Sequence, residues 1–297
     1  MDLKDFPSVK GKLVKDYPLK NRTWFHVGGL AEWYFEPEDE EDLKTFLTHR
    51  PDMPVTFLGG GSNVLISDEG IPGVVIHLGA GFSFCHIDGT TLEVGAGYPL
   101  VRLSADAAKA SLTGFEGFCK IPGTVGGGVR TNAGAYGVSL GERMIALEGD
   151  TLAGEKKVFD PQKDNIFAYR KCTLPPDFIV TKCVFQAESA PQKDILDKMA
   201  ENVALKEKTQ PINAWTAGST FKNPEGNAAW RLIAEAGLQG KIIGGAQVSL
   251  KHANFIENMG TATATDINNL CTLIQKTVLE KSGITLELEI QKLGHFD

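Results

Sequence analysis

The side chains best suited to chemistry are Tyr169-Arg170, Ser219, Lys222-Asn223 and the pair Glu287 and Glu289. A guanidinium is a rigid fork of donors that can clamp a carboxylate through two parallel N–H···O bonds. A plain surface charge is the other reading of an arginine in the turn-rich stretch from Asp160 to Pro176. Ser219 lies in Gly218-Ser219-Thr220-Phe221-Lys222-Asn223-Pro224, a compact, donor-rich segment that could hold an anion, offer one hydroxyl to a substrate, or serve structure alone. No Gly-x-Ser-x-Gly elbow surrounds it, so a hydrolase nucleophile is unsupported. Glu287 and Glu289 share the polar face of an alternating segment, where a reactive carboxylate and a solvated edge charge look alike. Lys251-His252-Ala253-Asn254-Phe255 sets further polar groups among apolar ones.

Such groups need something to act on, and the glycine pattern points to a large ligand. Ile121 to Gly137 contains Gly123, Gly126, Gly127, Gly128, Gly134 and Gly137 among small side chains and Asn132. Glycine loses the most entropy on ordering, and close approach of backbone to a bound cofactor is a reason to accept that loss. Gly59-Gly60-Gly61-Ser62-Asn63 follows a short apolar run. Successive N–H groups in such a turn can hold a diphosphate. Two cradles in sequence suit a long ligand with a diphosphate and rings at both ends. Val94-Gly95-Ala96-Gly97 has Leu100 where a Rossmann fingerprint needs its third glycine. The 59–63 run lacks P-loop spacing.

A chain of 297 residues is long enough for two or three domains. Its 42% apolar and 23% charged residues describe an ordinary globular protein. A formal charge of -7 argues against nucleic acid or an anionic membrane as partner. The lead-in carries no apolar signal region, and no apolar run approaches the roughly 20 residues that span a bilayer, which together favour a cytoplasmic setting. Five scattered cysteines without a Cys-x-x-Cys pair suggest neither disulfides nor zinc, and no metal site is expected. Nor does anything in the sequence call for an obligatory protein partner.

The elements that must position these groups are legible in part. Strands are expected at 31–36, 55–58, 64–66, 74–78, 90–94, 143–148, 155–159 and 178–187. Helices are expected over 38–49, from Pro99 onward, and around 191–207, 227–236 and 266–281, the last stopped by Gly283. The 121–137 stretch reads as a glycine-rich loop, 246–256 as strand-like, and 284–290 as a cleanly alternating strand. The fold class is α+β, divided at 1–80, 81–208 and 209–297.

Seven blocks, in order, carry a resemblance. They are Val27-Gly28-Gly29, FLGGGSNVL (57–65), IPGTVGG (121–127), NAGAYG (132–137), Tyr169-Arg170, GSTFKNP (218–224) and KHANFI (251–256), followed by LELEI (286–290). Together they resemble the UDP-N-acetylenolpyruvoylglucosamine reductase family, in its compact form that lacks a long insert between Arg170 and Ser219. Three departures stand out. Lys120 replaces a usual glycine, Gly128 a common alanine, and Cys172 falls where a serine is common.

The resemblance implies a two-subdomain FAD-binding lobe of the vanillyl-alcohol-oxidase type and a C-terminal α+β substrate-binding domain. It implies a bacterial, cytoplasmic enzyme of peptidoglycan precursor synthesis. NADPH first reduces bound FAD. The UDP-sugar enolpyruvyl ether then receives hydride at C3 and a proton at C2. Carried over by motif, Ser219 donates that proton, Arg170 grips the substrate carboxylate and Glu289 acts with it. Tyr169, Lys222 and Asn223 bind substrate. Gly59, Gly60, Gly61, Ser62, Asn63, Pro122, Gly123, Thr124, Gly126, Gly127, Asn132, Ala133, Gly134 and Tyr136 hold the cofactor. The competing expectation is a flavin-dependent alcohol oxidase on the same cofactor lobe. A flavoprotein or sugar-nucleotide binding module without turnover is a third, and would have little use for Arg170, Ser219 and Glu289.

Overall fold

The computed structural model describes residues 1–296. The chain divides into two compact units, each assembled from separate stretches. The first comprises Met1–Lys15, Trp33–Gly60 and Val74–Leu205; the second comprises Asp16–Glu32, Gly61–Gly73 and Lys206 onward.

The first unit is built on a five-stranded antiparallel sheet. Its order is Lys156–Phe159, Met144–Thr151, Phe178–Gln186, Thr91–Gly95, Cys85–Asp88. Leu92, Val94, Leu147, Phe178 and Phe185 form its buried face, against Leu103 of the Leu100–Lys109 helix and Phe115 and Phe118 beyond it. A parallel pair, Val55–Leu58 with Val74–His77, brings Leu58 beside His77 just before the first glycine run. The Glu40–His49 helix is capped by Asp39, whose carboxylate accepts from Asp42 N–H at 2.8 Å. It lays Phe46 on Phe35 with ring centroids 4.1 Å apart. The buried Asp42 carboxylate accepts the main-chain N–H groups of Lys10, Gly11 and Glu38, which supplies the partners a buried charge requires.

The glycine-rich stretch is not a loop throughout. Val125–Thr131 is helical, with Thr124 as N-cap and Asn132 as left-handed C-cap. Val125 and Val129, four apart, are both fully buried and supply the apolar stripe. Glycine lets this helix lie close to its neighbours: a Cβ on Gly126 would come within 2.9 Å of Ala96 Cβ.

The second unit has its own core. Phe25, Val27 and Leu65 from its early segments join Phe221, Ile233, Ile256, Ile267 and Leu286 from the C-terminal part. A three-stranded sheet runs Ile242–Ile243, Ala246–Val248, Ile256–Asn258, so the strand-like stretch at 246–256 is two strands with a turn between them. The Ala264–Ser282 helix opens with a Thr263/Asp266 capping box and ends at Gly283, whose φ of 71° suits glycine. Ile284–Ile290 keeps its predicted alternation, with Leu286 and Ile290 buried and Glu287 exposed, but forms no continuous ladder. Its facing segment offers one bridge, Phe221 to Leu288, and regular pairing resumes only where Gln291–Leu293 runs parallel to Val64–Ile66.

Candidate active site

In the first unit, Phe167–Ala168 and Lys171–Cys172 pair antiparallel and leave Tyr169 and Arg170 as the tip of a tight hairpin. Arg170 occupies the second tip position with φ 51°, a left-handed conformation where glycine or asparagine is usual. A side chain held there costs on the order of 1–3 kcal/mol and persists only when its surroundings fix it. Two bonds do so. Asn132 Nδ2 donates to Ala168 O at 3.0 Å, and Arg170 Nη2 donates to Gly134 O at 2.8 Å. The guanidinium carbon also sits 5.3 Å from the Tyr169 ring centre.

A groove of about 750 Å³ opens beside this hairpin. Asn132, Tyr136, Asn165 and Arg170 all line it, and all four have left-handed φ, at 45°, 55°, 49° and 51°. Strained non-glycine backbone concentrated on one concavity is a mark of a functional surface. Burial pushes the Tyr136 phenol above its ordinary pKa, so it stays a neutral donor at physiological pH.

In the second unit, the Ser219-bearing segment is held on both sides. Thr220 N–H donates to Asn254 O at 2.8 Å, while Asn254 Oδ1 and Nδ2 pair with Phe221 N–H and Phe221 O. On the other side, Glu289 N–H donates to Thr220 O at 2.8 Å and Lys222 N–H to Glu287 O at 2.9 Å. The two stretches therefore run antiparallel, and Glu289 is fixed one residue from Ser219 in register. Ser219 and Glu289 are both half-buried. Glu287 points to solvent and pairs with Lys222 at 3.2 Å. Asn223 is exposed and spends its Oδ1 on Ala229 N–H at 3.0 Å, at the start of the Ala229–Glu235 helix. Asn63 Nδ2 donates to Glu289 O at 3.0 Å, and Gln291 N–H to Asn63 O.

The glycine runs of the first unit touch one another. A Cβ on Gly60 would lie 2.7 Å from Gly123 Cα, and one on Gly59 3.1 Å from Gly127 Cα. At Gly127 itself the nearest atom would be 3.5 Å away, in ordinary contact range. Part of the glycine requirement is therefore backbone against backbone, whereas at Gly127 a methyl group would meet its neighbours at ordinary contact distance. A wall of such small residues fits the close approach of a flavin nucleotide.

Among the described residues the structure gathers Asn132, Gly134, Tyr136, Tyr169 and Arg170 around one groove, and Asn63, Ser219, Lys222 and Glu289 around one pair of segments. Lys120 is not among the residues with left-handed φ, so replacing glycine there brings no backbone strain. Cys172 is a free thiol raised in pKa by burial. Sequence reasoning missed Arg130. Its guanidinium donates to the carbonyls of Leu174, Pro175 and Phe178, tying the glycine-rich helix to the start of a sheet strand. An arginine on a helix otherwise made of glycine, valine and threonine was the available signal. No cluster of three or more metal-binding side chains occurs among the described residues. No described helix is long and apolar enough to cross a membrane.

A family model described as UDP-N-acetylenolpyruvoylglucosamine reductase, C-terminal domain, matches residues 210–293. One described as FAD binding domain matches residues 31–147. The UDP-N-acetylenolpyruvoylglucosamine reductase of Parvibaculum lavamentivorans is 45% identical over 289 residues, covering 97% of this chain and 93% of the relative. That of Rickettsia bellii is 44% identical over 294 residues, covering 98% and 96%. The crystal structure of the reductase from Thermus caldophilus superposes with a TM-score of 0.84 at 38% identity, over 97% of this chain and all of that one. A solvent-stable cholesterol oxidase superposes at TM-score 0.50 and 16% identity over 64% of this chain, which shows a shared fold and nothing more.

Proposed function

The chain belongs to the UDP-N-acetylenolpyruvoylglucosamine reductase family, and from that premise we propose that it reduces UDP-N-acetyl-3-O-(1-carboxyvinyl)-glucosamine to UDP-N-acetylmuramate with NADPH, in bacterial peptidoglycan precursor synthesis. Likeness to named reductases along 97% of the chain supports this reading. So does the strained, doubly tied Arg170 hairpin, because a carboxylate-bearing substrate needs a pre-set cationic clamp.

FAD, when bound, supplies the hydride chemistry. Residues 1–80 and 81–208 would hold it, through Gly59, Gly60, Gly61, Ser62, Pro122, Gly123, Thr124, Gly126 and Gly127, with the main chain of Asn63 and of Asn132 to Gly134 and the ring of Tyr136. Residues 209–297 would carry the substrate. Arg170 grips the substrate carboxylate and offsets negative charge as it builds there. Ser219 holds the proton destined for C2. An ordinary hydroxyl is a feeble acid, so it works only within about 3 Å of its target and in step with charge development. Glu289, its main chain held opposite Thr220, would act with Arg170 on the substrate carboxyl group. Tyr169 orients the guanidinium across its ring. Lys222 must exchange its Glu287 partner for substrate, and Asn223 would use its Nδ2 since its Oδ1 caps a helix. Five free cysteines suit a reducing cytoplasm.

Anaerobic titration of the flavin-loaded protein tests the whole reading. NADPH should bleach the flavin bands, NADH should do so more slowly, and the enol ether should restore them. Rapid oxygen consumption by the reduced protein, with no response to the enol ether, would establish the oxidase reading instead. Ligand binding without either colour change would mark a binding module.

A further inference from the structure

Asn132 is buried, only 6% exposed, and caps the glycine-rich helix with φ 45°. Asparagine tolerates that conformation better than most residues, so backbone geometry alone could explain it. Its amide is nevertheless committed elsewhere. Oδ1 accepts Gly141 N–H at 3.0 Å and Nδ2 donates to Ala168 O at 3.0 Å. Ala168 is the residue from which the Tyr169-Arg170 tip springs. In return, Arg170 Nη2 donates to Gly134 O, two residues beyond Asn132. The two bonds run side by side between the same two segments, with their donors on opposite segments, each joining residues 36 apart. A single tie would let the hairpin pivot. Two ties side by side fix both its height and its direction, and thereby hold Arg170 in a conformation it would otherwise leave.

We propose that the side chain of Asn132 is a positioning residue for Arg170, setting the carboxylate clamp rather than contacting the cofactor. The proposal rests on the reductase reading for what the clamp grips, and on geometry alone for what sets it. Misplacing a reacting or binding group by about 1 Å can cost on the order of 10²-fold in rate. A nearly invisible amide bond to a turn carbonyl is therefore enough to matter.

Two variants separate the side chain from its backbone. Asn132→Asp keeps shape, left-handed tolerance and the acceptor for Gly141, but turns an oxygen toward Ala168 O. Asn132→Gly keeps the backbone conformation and removes the amide. In the flavin-loaded protein, both should exchange the amide hydrogens of residues 169–171 about tenfold faster or more, while binding as much flavin as the parent. Both should slow reoxidation by the UDP-sugar enol ether about tenfold more than reduction by NADPH, with a raised KM for the enol ether. Unchanged exchange at the hairpin in Asn132→Gly would overturn the proposal. So would loss of flavin without a change in hairpin exchange, which would make Asn132 a cofactor ligand. If Arg170→Ala reoxidises at the parental rate, the clamp reading fails by itself, and hairpin exchange still decides the role of Asn132.

Discussion

The side-chain amide of Asn63 holds the main-chain carbonyl of Glu289 at 3.0 Å, across 226 residues of sequence. Gln291 N–H returns a bond to Asn63 O at 2.9 Å. The asparagine that ends a glycine run therefore brackets the carboxylate-bearing residue, and the Glu289–Thr220 bond passes that placement on toward Ser219. Motif spacing alone would assign such an asparagine to a phosphate.

Both carboxylate-bearing residues of the alternating segment flank the serine-bearing stretch, but Glu289 pairs with Thr220, next to Ser219, whereas Glu287 pairs with Lys222, is 73% exposed at its side chain and is tied to the Lys222 ammonium. Glu289→Gln should slow flavin reoxidation by the enol ether at least tenfold. Glu287→Gln should change stability by less than about 1 kcal/mol, as for other exposed pairs, and affect KM more than kcat by releasing Lys222. Stopped-flow comparison of the two variants checks this, and the reverse order would show that the wrong carboxylate was chosen.

Ser219→Ala should leave reduction by NADPH nearly intact and slow reoxidation by substrate on the order of 10²-fold, the scale of a lost general acid. A matching loss in both half-reactions would remove Ser219 from the proton-transfer step.

Arg170 is predicted to trade stability for function. Arg170→Gly should melt above Arg170→Ala, because glycine accepts φ 51° without the strain that alanine keeps. Both should lose substrate-driven reoxidation. Calorimetry on the two variants provides the readout; equal melting temperatures would mean that the hairpin relaxes when the guanidinium is removed.

Gly60 and Gly127 should respond oppositely to alanine. Gly60→Ala drives a methyl group to 2.7 Å from Gly123 Cα and should destabilise the flavin-free protein by about 1–3 kcal/mol. Gly127→Ala has room, and in a helix it should hold or raise flavin-free stability by up to about 1 kcal/mol. Its damage should appear as faster flavin loss on dilution, measured by released fluorescence.

His252 is partly buried, with Nδ1 lacking a hydrogen-bond partner among the described residues and its ring edge-on to Phe255 at 4.8 Å. Burial lowers its pKa below the ordinary 6.5. The unfolded chain then takes up the proton first, so stability should fall as pH drops below about 6.5 toward the depressed folded value. His252→Gln should lessen that fall between pH 7 and pH 5 in denaturant melts, whereas an unchanged profile would assign it to other groups.

Much of the architecture was legible because its signals are local. The Ala264–Ser282 helix shows its stripe, its capping box and its stopping glycine in one window. Four strands of the five-stranded sheet announced themselves by short apolar runs bounded by turns, whereas Cys85–Asp88, half-buried at Cys85 and exposed beyond it, gave no such signal. The glycine-rich helix did not, because two valines among four residues of glycine and threonine give too little periodicity to read. Ile284–Ile290 misled for the opposite reason. Its alternation is real, but a strand also needs a partner ladder, and Phe221 supplies a single bridge. The proposed site residues were named by motif, whereas the hydrogen bonds that position them were not legible. Asn63 to Glu289 and Asn132 to Ala168 join distant stretches, and no spacing rule encodes such pairs. The grouping of Asp16–Glu32 and Gly61–Gly73 with the C-terminal stretch is hidden in the same way, since Phe25 and Leu65 are ordinary apolar residues until their neighbours are known.

A methyl group on Gly128 would sit 2.7 Å from Leu140 Cδ1 and 3.2 Å from Leu100 Cδ1. The larger leucine and the smaller glycine thus form an epistatic couple. Alanine at 128 with Leu140 retained meets a buried side chain at 2.7 Å, and trimming Leu140 in the same step should make room for the methyl group. Any redesign that enlarges position 128 therefore has to be planned with position 140.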